Sequence, residues 1–167
     1  DSAPGSIVEL RKFDDARGRR RVALAVRSDL SVEQQVTATG ATWLDRQAIA
    51  REPVALGGGG FGAEVREAMN ARAEHLIEQG LAERQGRSVI FARNLIDTLR
   101  RREVEALGEK LAVETGRPFS RSATGEYVAG TYRQRFALAS GRHAAPVRRL
   151  PPYCKRDASL RRHEPDE

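Results

Sequence analysis

The spacing of apolar residues changes twice along this chain, and the two changes limit the folds open to it. Near the N-terminus apolar residues recur at every second position, which is the period of a β-strand. From about residue 31 to residue 116 they recur with the three-to-four-residue spacing of helices. Between 126 and 145 side chains alternate again, with Tyr132, Phe136 and Leu138 in the series. The sequence therefore predicts an α+β fold with a helical centre between two β units.

The first β unit is predicted to be a hairpin over residues 6–27. Its arms carry apolar residues at alternate positions: Val8, Leu10, Val22, Leu24 and Val26. The segment from Asp14 to Gly18 between the arms is rich in turn formers. Ser31 with Gln34 is a capping-box pattern, so a short helix should begin there. A second helix is expected over about 41–51, ended by Pro53.

The centre of the chain predicts a helix, a turn and two short strands in succession. After the glycine run 57–60, a helix should span about 61–79 and end at Gly80. Its apolar stripe is predicted to be Phe61, Val65, Met69, Ala73, Leu76 and Ile77. Short strands are expected near 81–84 and 88–92. Together with the two upstream helices, this order resembles a winged-helix domain, in which the hairpin after the third helix is the wing.

A long helix should follow, with Asn94 as its N-cap and Gly116 and Pro118 at its end. Its buried side is predicted to be Leu95, Ile96, Leu99, Leu107 and Leu111. Arg100, Arg101 and Arg102 point in three directions on a helix and do not form one patch. We expect them to pair with the acids that follow, Glu103, Glu105 and Glu109.

The charge balance favours a polyanionic partner. Lysine and arginine number 29 against 23 acids, giving a net charge of +6 and a pI near 10.2. Three of the 29 are lysines, which leaves 26 arginines, the residue best suited to gripping phosphate. A genomic bias toward arginine codons explains the same composition equally well. The candidate nucleic-acid contacts lie at the tip of the first hairpin and around the wing: Arg17, Arg19, Arg20, Arg21, Arg84, Arg87 and Arg93.

The helix over 61–79 is a poor candidate for reading bases. Counting four glutamates against Arg66 and Arg72, its outward charge is predicted to be −2, which a DNA groove would repel. This acidic surface favours a protein partner instead.

The chain lacks the residue patterns that several kinds of chemistry require. The single cysteine, Cys154, excludes a disulfide framework and cysteine-based zinc fingers. His75, His143 and His163 are too scattered to suggest a metal site, and no nucleophile has a recognisable partner. We therefore expect no catalytic residues, no metal and no cofactor. No apolar run approaches the roughly 18 residues of a membrane span, so no membrane partner is expected.

The chain is predicted to divide into four segments. Residues 1–56 hold the hairpin and two short helices, and 57–116 form the winged-helix-like segment with the long helix. Residues 117–145 form a small β unit. Residues 146–167, rich in proline and arginine, should be a disordered tail. Because the chain begins without Met, it is expected to be a piece of a longer protein.

Several phrases resemble one family of conjugation proteins. They are Ser6–Leu10, Val22–Asp29, Ala41–Gln47, Phe61–Arg66, Phe91–Leu95 and Gly130–Arg135. Together they resemble the uncharacterised domain that follows the nuclease in VirD-type relaxases, the mobilization nucleases of conjugative plasmids and integrative elements. The resemblance covers about 6–145. After Ser140–Arg142 that family continues with an apolar strand, an Asp-Gly turn and a Val-Pro-Trp segment, whereas this chain has His143–Arg149, so the last β unit is expected to be incomplete.

The resemblance implies a role in DNA transfer without catalysis. Nicking in that family belongs to an upstream domain with a tyrosine nucleophile and a metal-binding histidine cluster, and neither can be matched here. The chain is thus expected to be a non-enzymatic DNA-processing module in the bacterial cytoplasm, holding nucleic acid through backbone charge. The alternative is a protein-interaction module that docks the relaxase to relaxosome or type IV secretion proteins.

Overall fold

The structure, a computed structural model, describes residues 4–119, 127 and 131–147. Within these ranges lie six strands and four helices. The strands are β1 (Ile7–Asp14), β2 (Arg20–Ser28), β3 (Ala82–Gln85), β4 (Ser88–Phe91), β5 (Thr131–Leu138) and β6 (Gly141–Val147). The helices are α1 (Val32–Val36), α2 (Trp43–Ile49), α3 (Phe61–Glu78) and α4 (Leu95–Thr115). The strands pair in sequence order as three two-stranded sheets, so the predicted α+β class is confirmed.

The first hairpin is antiparallel, and its register separates two different faces. Val8 pairs with Val26 and Leu10 with Leu24, which places the apolar residues of both arms on one face. The other face carries Glu9, Arg11, Phe13, Arg21, Ala23 and Ala25. At its base, Ile7 is 5% exposed and joins the core between α1, α2 and α3.

Local signals fix the starts of the two short helices. The Ser31 hydroxyl accepts a hydrogen bond from the Gln34 amide, and the Gln34 side chain accepts one from the Ser31 amide. Thr42 and Asp45 form the same reciprocal box at the start of α2. Asn94 occupies the predicted N-cap position of α4, although its side chain makes no capping hydrogen bond.

Two apolar clusters form the core of the helical centre. The first joins the base of the hairpin to α1, α2 and α3 through Ile7, Val32, Trp43, Leu44, Val65 and Ala68. The second joins the C-terminal half of α3 to the β3–β4 hairpin and α4 through Ala41, Leu76, Leu81, Leu95 and Leu99. The helix α3 therefore connects both clusters and organises this part of the chain.

The predicted stripe of α3 is rotated from the one observed. The residues it buries are Gly62, Val65, Ala68, Arg72 and Leu76. Phe61 is 50% exposed, and Met69, Ala73 and Ile77 are half-buried. On α4 the buried residues are Leu95, Thr98, Leu99, Glu103 and Gly108, whereas Leu107 and Leu111 are half-buried. Each long helix thus buries one charged residue that hydrophobic periodicity assigns to solvent.

The chain divides into two compact units. The first comprises Asp1–Arg121 and Ala137–Arg142, and the second comprises Ser122–Phe136 and His143–Glu167. The strand β6 reaches Val147 and so includes the first two residues of the predicted tail. The remainder of that tail, 148–167, lies outside the described residues. The four-segment division and the winged-helix resemblance stay predictions.

Candidate nucleic-acid interface

The tip of the first hairpin is organised by one carboxylate. The Asp15 Oδ1 atom accepts hydrogen bonds from the backbone amides of Arg17, at 2.9 Å, and Arg19, at 3.0 Å. Gly18 takes a positive φ of 70°, which closes the turn without the strain that another residue would carry. The turn cluster therefore folds as its composition predicts, with an Asp side chain replacing backbone acceptors.

The second oxygen of Asp15 holds two of the four candidate guanidinium groups at the tip. The Nε atoms of Arg19 and Arg21 donate to Asp15 Oδ2 at 3.3 and 3.1 Å. Both arginine side chains remain more than half exposed. The backbone amide of Arg19, helped by Arg21 and Arg17, lowers the pKa of Asp15 below its ordinary value of 3.8. These contacts tie the two arginines to the tip while leaving them open to solvent.

The other two candidate arginines at the tip, Arg17 and Arg20, have no ion pair with the described part of the chain and are exposed. Lys12 lies on the same face as Arg20, opposite Val22. From Lys12 to Arg21 there are five cations and two acids, which leaves a local charge of +3. The four predicted site residues thus lie together at one hairpin tip, in the turn and the first two positions of β2.

The β3–β4 hairpin, called the wing below, presents its three candidate arginines differently. Arg84 in β3 forms an ion pair with Glu74 of α3, which ties the wing to the preceding helix. Arg87 lies in the β3–β4 turn beside Gly86, whose φ of 60° permits the tight reversal. Arg93 follows β4, and both Arg87 and Arg93 are exposed without an ion pair inside the described ranges. The wing therefore offers two unengaged guanidinium groups and one that is already neutralised.

The surface of α3 is more acidic than the sequence suggests. Arg72 is 2% exposed and does not belong to the outward face, so its inclusion in the predicted charge is wrong. Arg66 donates to the carbonyl oxygens of Gly57 and Gly58 at 2.8 Å and fixes the glycine run. With Arg72 removed, four exposed glutamates (Glu64, Glu67, Glu74 and Glu78) and Arg66 give α3 itself a charge of −3 rather than −2, and Arg84 offsets the charge of Glu74. The surface of α3 is therefore acidic, which argues against a base-reading role.

Arg72 instead forms a buried ion pair that sequence reasoning missed. Its Nε and Nη2 atoms donate to the two oxygens of Asp45, each at 2.9 Å. The remaining N–H groups donate to the carbonyl oxygens of Val36, Ala38 and Gly40, at 2.6 to 3.1 Å. All five guanidinium donors therefore have partners. The chain offers a partial signal, since Arg72 stands seven residues after Val65 and so shares its face of the helix, but no local pattern pairs Arg72 with Asp45.

Glu103 is the second buried charge, and the prediction that it pairs with Arg100–Arg102 is wrong. Its Oε1 atom accepts from the Ala139 amide at 2.8 Å and its Oε2 atom from the Ser140 amide at 3.1 Å. Arg46 of α2 donates to the Ser140 carbonyl at 3.1 Å. A Cβ atom at Gly40 would overlap the Glu103 carboxylate. These contacts hold the turn between β5 and β6 within the first compact unit.

Arg72, Asp45 and Glu103 are satisfied by partners within the fold. Arg72 has used every donor, Asp45 accepts from Arg72 and Thr42, and Glu103 is occupied by two backbone amides. In the described part of the chain, no cluster of three or more His, Cys, Asp or Glu residues could hold a metal ion. The expected absence of metal, cofactor and catalytic residues stays a prediction. No helix in the described ranges is long and apolar enough to cross a membrane.

The comparison with protein families identifies the kind of domain. A family described as "Protein of unknown function (DUF3363)" matches residues 7–149, most of the chain. The chain therefore belongs to this uncharacterised domain family. No curated protein and no solved structure matches the chain.

Proposed function

We propose that this domain is a non-catalytic DNA-processing module of a bacterial conjugative relaxase that contacts the nucleic-acid backbone. The observation that supports the proposal is the hairpin tip, where five cations and two acids lie within the ten residues from Lys12 to Arg21, in the turn and the adjoining ends of β1 and β2. The relaxase context rests on the resemblance of the sequence phrases. A cytoplasmic location is part of the same proposal.

The tip has the properties that phosphate binding requires. Arg17 and Arg20 are exposed and unpaired within the described ranges, so they can approach a phosphate without breaking an ion pair. Arg19 and Arg21 can exchange Asp15 for phosphate at small cost, because solvent-exposed ion pairs contribute only about 0–1 kcal/mol. Guanidinium groups also match phosphate geometry through paired N–H donors.

The wing supplies a second, smaller set of contacts. Arg87 and Arg93 are exposed, whereas Arg84 is held by Glu74. Phosphate contacts orient a protein on nucleic acid without reading its sequence. We therefore expect binding that tolerates any sequence and weakens steeply with salt.

The test compares two pairs of charge-neutralising substitutions at two or more salt concentrations. The double variant Arg17→Gln, Arg20→Gln should weaken binding of a fluorescent oligonucleotide and reduce the slope of log affinity against log salt by about 0.7–0.9 per lost contact. The matched control is Arg100→Gln, Arg101→Gln, which removes the same charge from the exposed side of α4. Equal effects of the two pairs would mean that only the net charge matters, which contradicts a binding tip.

A second candidate function is a protein-interaction module that docks the relaxase to relaxosome or type IV secretion proteins. The observation that favours it is the exposed apolar face of the hairpin, where Leu10, Val22 and Leu24 are about 60% exposed. The acidic surface of α3 adds a second feature typical of protein contacts. If the chain bound no oligonucleotide even at low salt, the result would favour this candidate over the first.

A further inference from the structure

Phe13 occupies an unusual position near the tip of the first hairpin. It is 47% exposed, and the register places it opposite Arg21, away from the face that carries Val8, Leu10 and Leu24. It belongs to neither of the two described core clusters. An aromatic ring is therefore displayed to solvent on the polar face of the hairpin.

Two cations lie beside this ring on the same face of the hairpin. Arg21 lies directly across from Phe13, and Arg11 lies two positions away on the same strand and face. Opposite Arg11 stands Ala23, whose small side chain leaves the surface beside the ring open. Around the edge of the hairpin, Phe13 lines an open depression together with Lys12, Asp14 and Arg20. The ring thus sits within reach of several groups that could hold a phosphate backbone.

We propose that Phe13 is a base-stacking residue and that the tip binds single-stranded nucleic acid. This inference rests on the proposed function and adds the class of ligand. Proteins that bind single strands without sequence preference combine a basic surface with exposed aromatic rings on which bases stack. A duplex keeps its bases stacked on each other, so a ring displayed on a hairpin face has nothing to stack on there.

A comparison of single-stranded with duplex ligands distinguishes base stacking from attraction by charge alone. A purely electrostatic tip should bind duplex at least as well as single strand, because duplex DNA has the higher charge density. A tip that also stacks a base should prefer the single strand, and the preference should depend on Phe13. Stacking on an aromatic side chain contributes about 1–3 kcal/mol per base, which is about 5- to 150-fold in affinity.

The experiment measures fluorescence anisotropy of labelled oligothymidylate of about 20 nucleotides, longer than one binding module needs, and of a duplex of equal length. Phe13→Leu, which stays apolar, should weaken single-strand binding about tenfold and leave duplex binding unchanged. Phe13→Trp should keep the affinity, and its fluorescence should be quenched by the oligonucleotide. Trp43, the other tryptophan in that variant, is 8% exposed and gives a constant background.

Leu10→Trp is the matched control, because position 10 is exposed on the opposite face of the same hairpin. Its fluorescence should not change on binding. Salt-dependent binding that is unaffected by Phe13→Leu would overturn the stacking role and leave the charge-based function standing. Failure of the wild-type chain to bind either oligonucleotide at low salt would overturn both. Equal quenching at positions 10 and 13 would also contradict the assignment.

Discussion

The hairpin tip and the helical centre use the same arginine–carboxylate chemistry in opposite environments. At the tip, Arg19 and Arg21 meet Asp15 at 3.3 and 3.1 Å with side chains 58% and 52% exposed. In the centre, Arg72 meets Asp45 at 2.9 Å, with the two side chains 2% and 0% exposed. The distances are similar, but the pairs differ in burial and in the number of hydrogen bonds that hold the arginine. An arginine in an exposed pair can exchange its carboxylate partner for a phosphate, whereas an arginine in a buried pair is inaccessible to a phosphate.

The two regions also differ in how they treat apolar residues. The helical centre buries Leu44, Val65, Leu76, Leu95 and Leu99 almost completely. The hairpin leaves the apolar residues of one whole face at least 39% exposed. An isolated two-stranded hairpin is marginally stable in water. Stability should therefore respond to changes in the centre and binding to changes at the tip.

The largest expected effect is on stability, from Arg72→Met. Met matches the arginine side chain only as far as Nε, so the substitution removes the guanidinium donors of the buried Asp45 carboxylate and of three carbonyl oxygens. We expect the free energy of unfolding to fall by about 3–5 kcal/mol, the usual cost of breaking a buried pair. Urea denaturation followed by circular dichroism measures it. Arg66→Met, at an exposed position of the same helix, is the control, and a similar loss there would contradict the argument.

Gly40→Ala should produce the next largest effect. A Cβ atom at position 40 would overlap the Glu103 carboxylate, so either the loop or the β5–β6 turn contact must shift. We expect a loss of about 1–3 kcal/mol, typical of overpacking a close contact. Gly59→Ala is the matched control, because a Cβ atom there meets nothing within 4 Å.

A double-mutant cycle tests whether overlap with Glu103 causes the loss of stability in Gly40→Ala. With Glu103→Ala already present, adding Gly40→Ala should cost much less than it does in the wild-type chain, because the overlapping atoms are gone. Additive losses in the double variant would show that Gly40 and Glu103 act independently. Equilibrium urea denaturation of the four proteins is the measurement.

Asp15→Asn should change binding with little effect on stability. Asn keeps an Oδ1 acceptor for the amides of Arg17 and Arg19 but releases the guanidinium groups from Oδ2. The released charge should tighten oligonucleotide binding about fivefold at low salt. Asp14→Asn removes the same charge without releasing an arginine held in the described structure. An equal gain in both variants would mean that the Asp15 contacts do not restrain the tip.

The smallest expected effect concerns acid sensitivity of the hairpin. The side-chain hydrogen bond from Arg27 lowers the pKa of Glu9 below its ordinary value of 4.5, and hydrogen bonds led by the Arg19 amide lower that of Asp15 below 3.8. Their stabilising contributions are therefore complete above these ordinary values and are lost as the pH falls through the lowered ones. Carboxyl titration by nuclear magnetic resonance should give midpoints below 4.5 and 3.8. Arg27→Gln should raise the Glu9 midpoint and leave the Asp15 midpoint unchanged.

Local structure could be predicted from the sequence wherever it depends on residues that are close together along the chain. The hairpin arms, the turn around Asp15 and the two capping boxes follow from side chains a few positions apart, and the structure has them. The predicted site residues Arg17, Arg19, Arg20 and Arg21 are exposed for the same reason, since a tight turn offers no interior. Helix faces were predicted less well, because periodicity treats every arginine and glutamate as solvent-facing.

The sequence by itself determined the order of strands and helices, the turns and the basic character of the tip. Only the tertiary structure decided that Arg72 and Glu103 are buried. Each satisfies groups that are distant along the chain: Arg72 meets Asp45 and the loop carbonyls, and Glu103 meets the amides of Ala139 and Ser140. A buried charge is tolerable only when such partners converge on it. That convergence depends on how the helices pack, so no local pattern contains it.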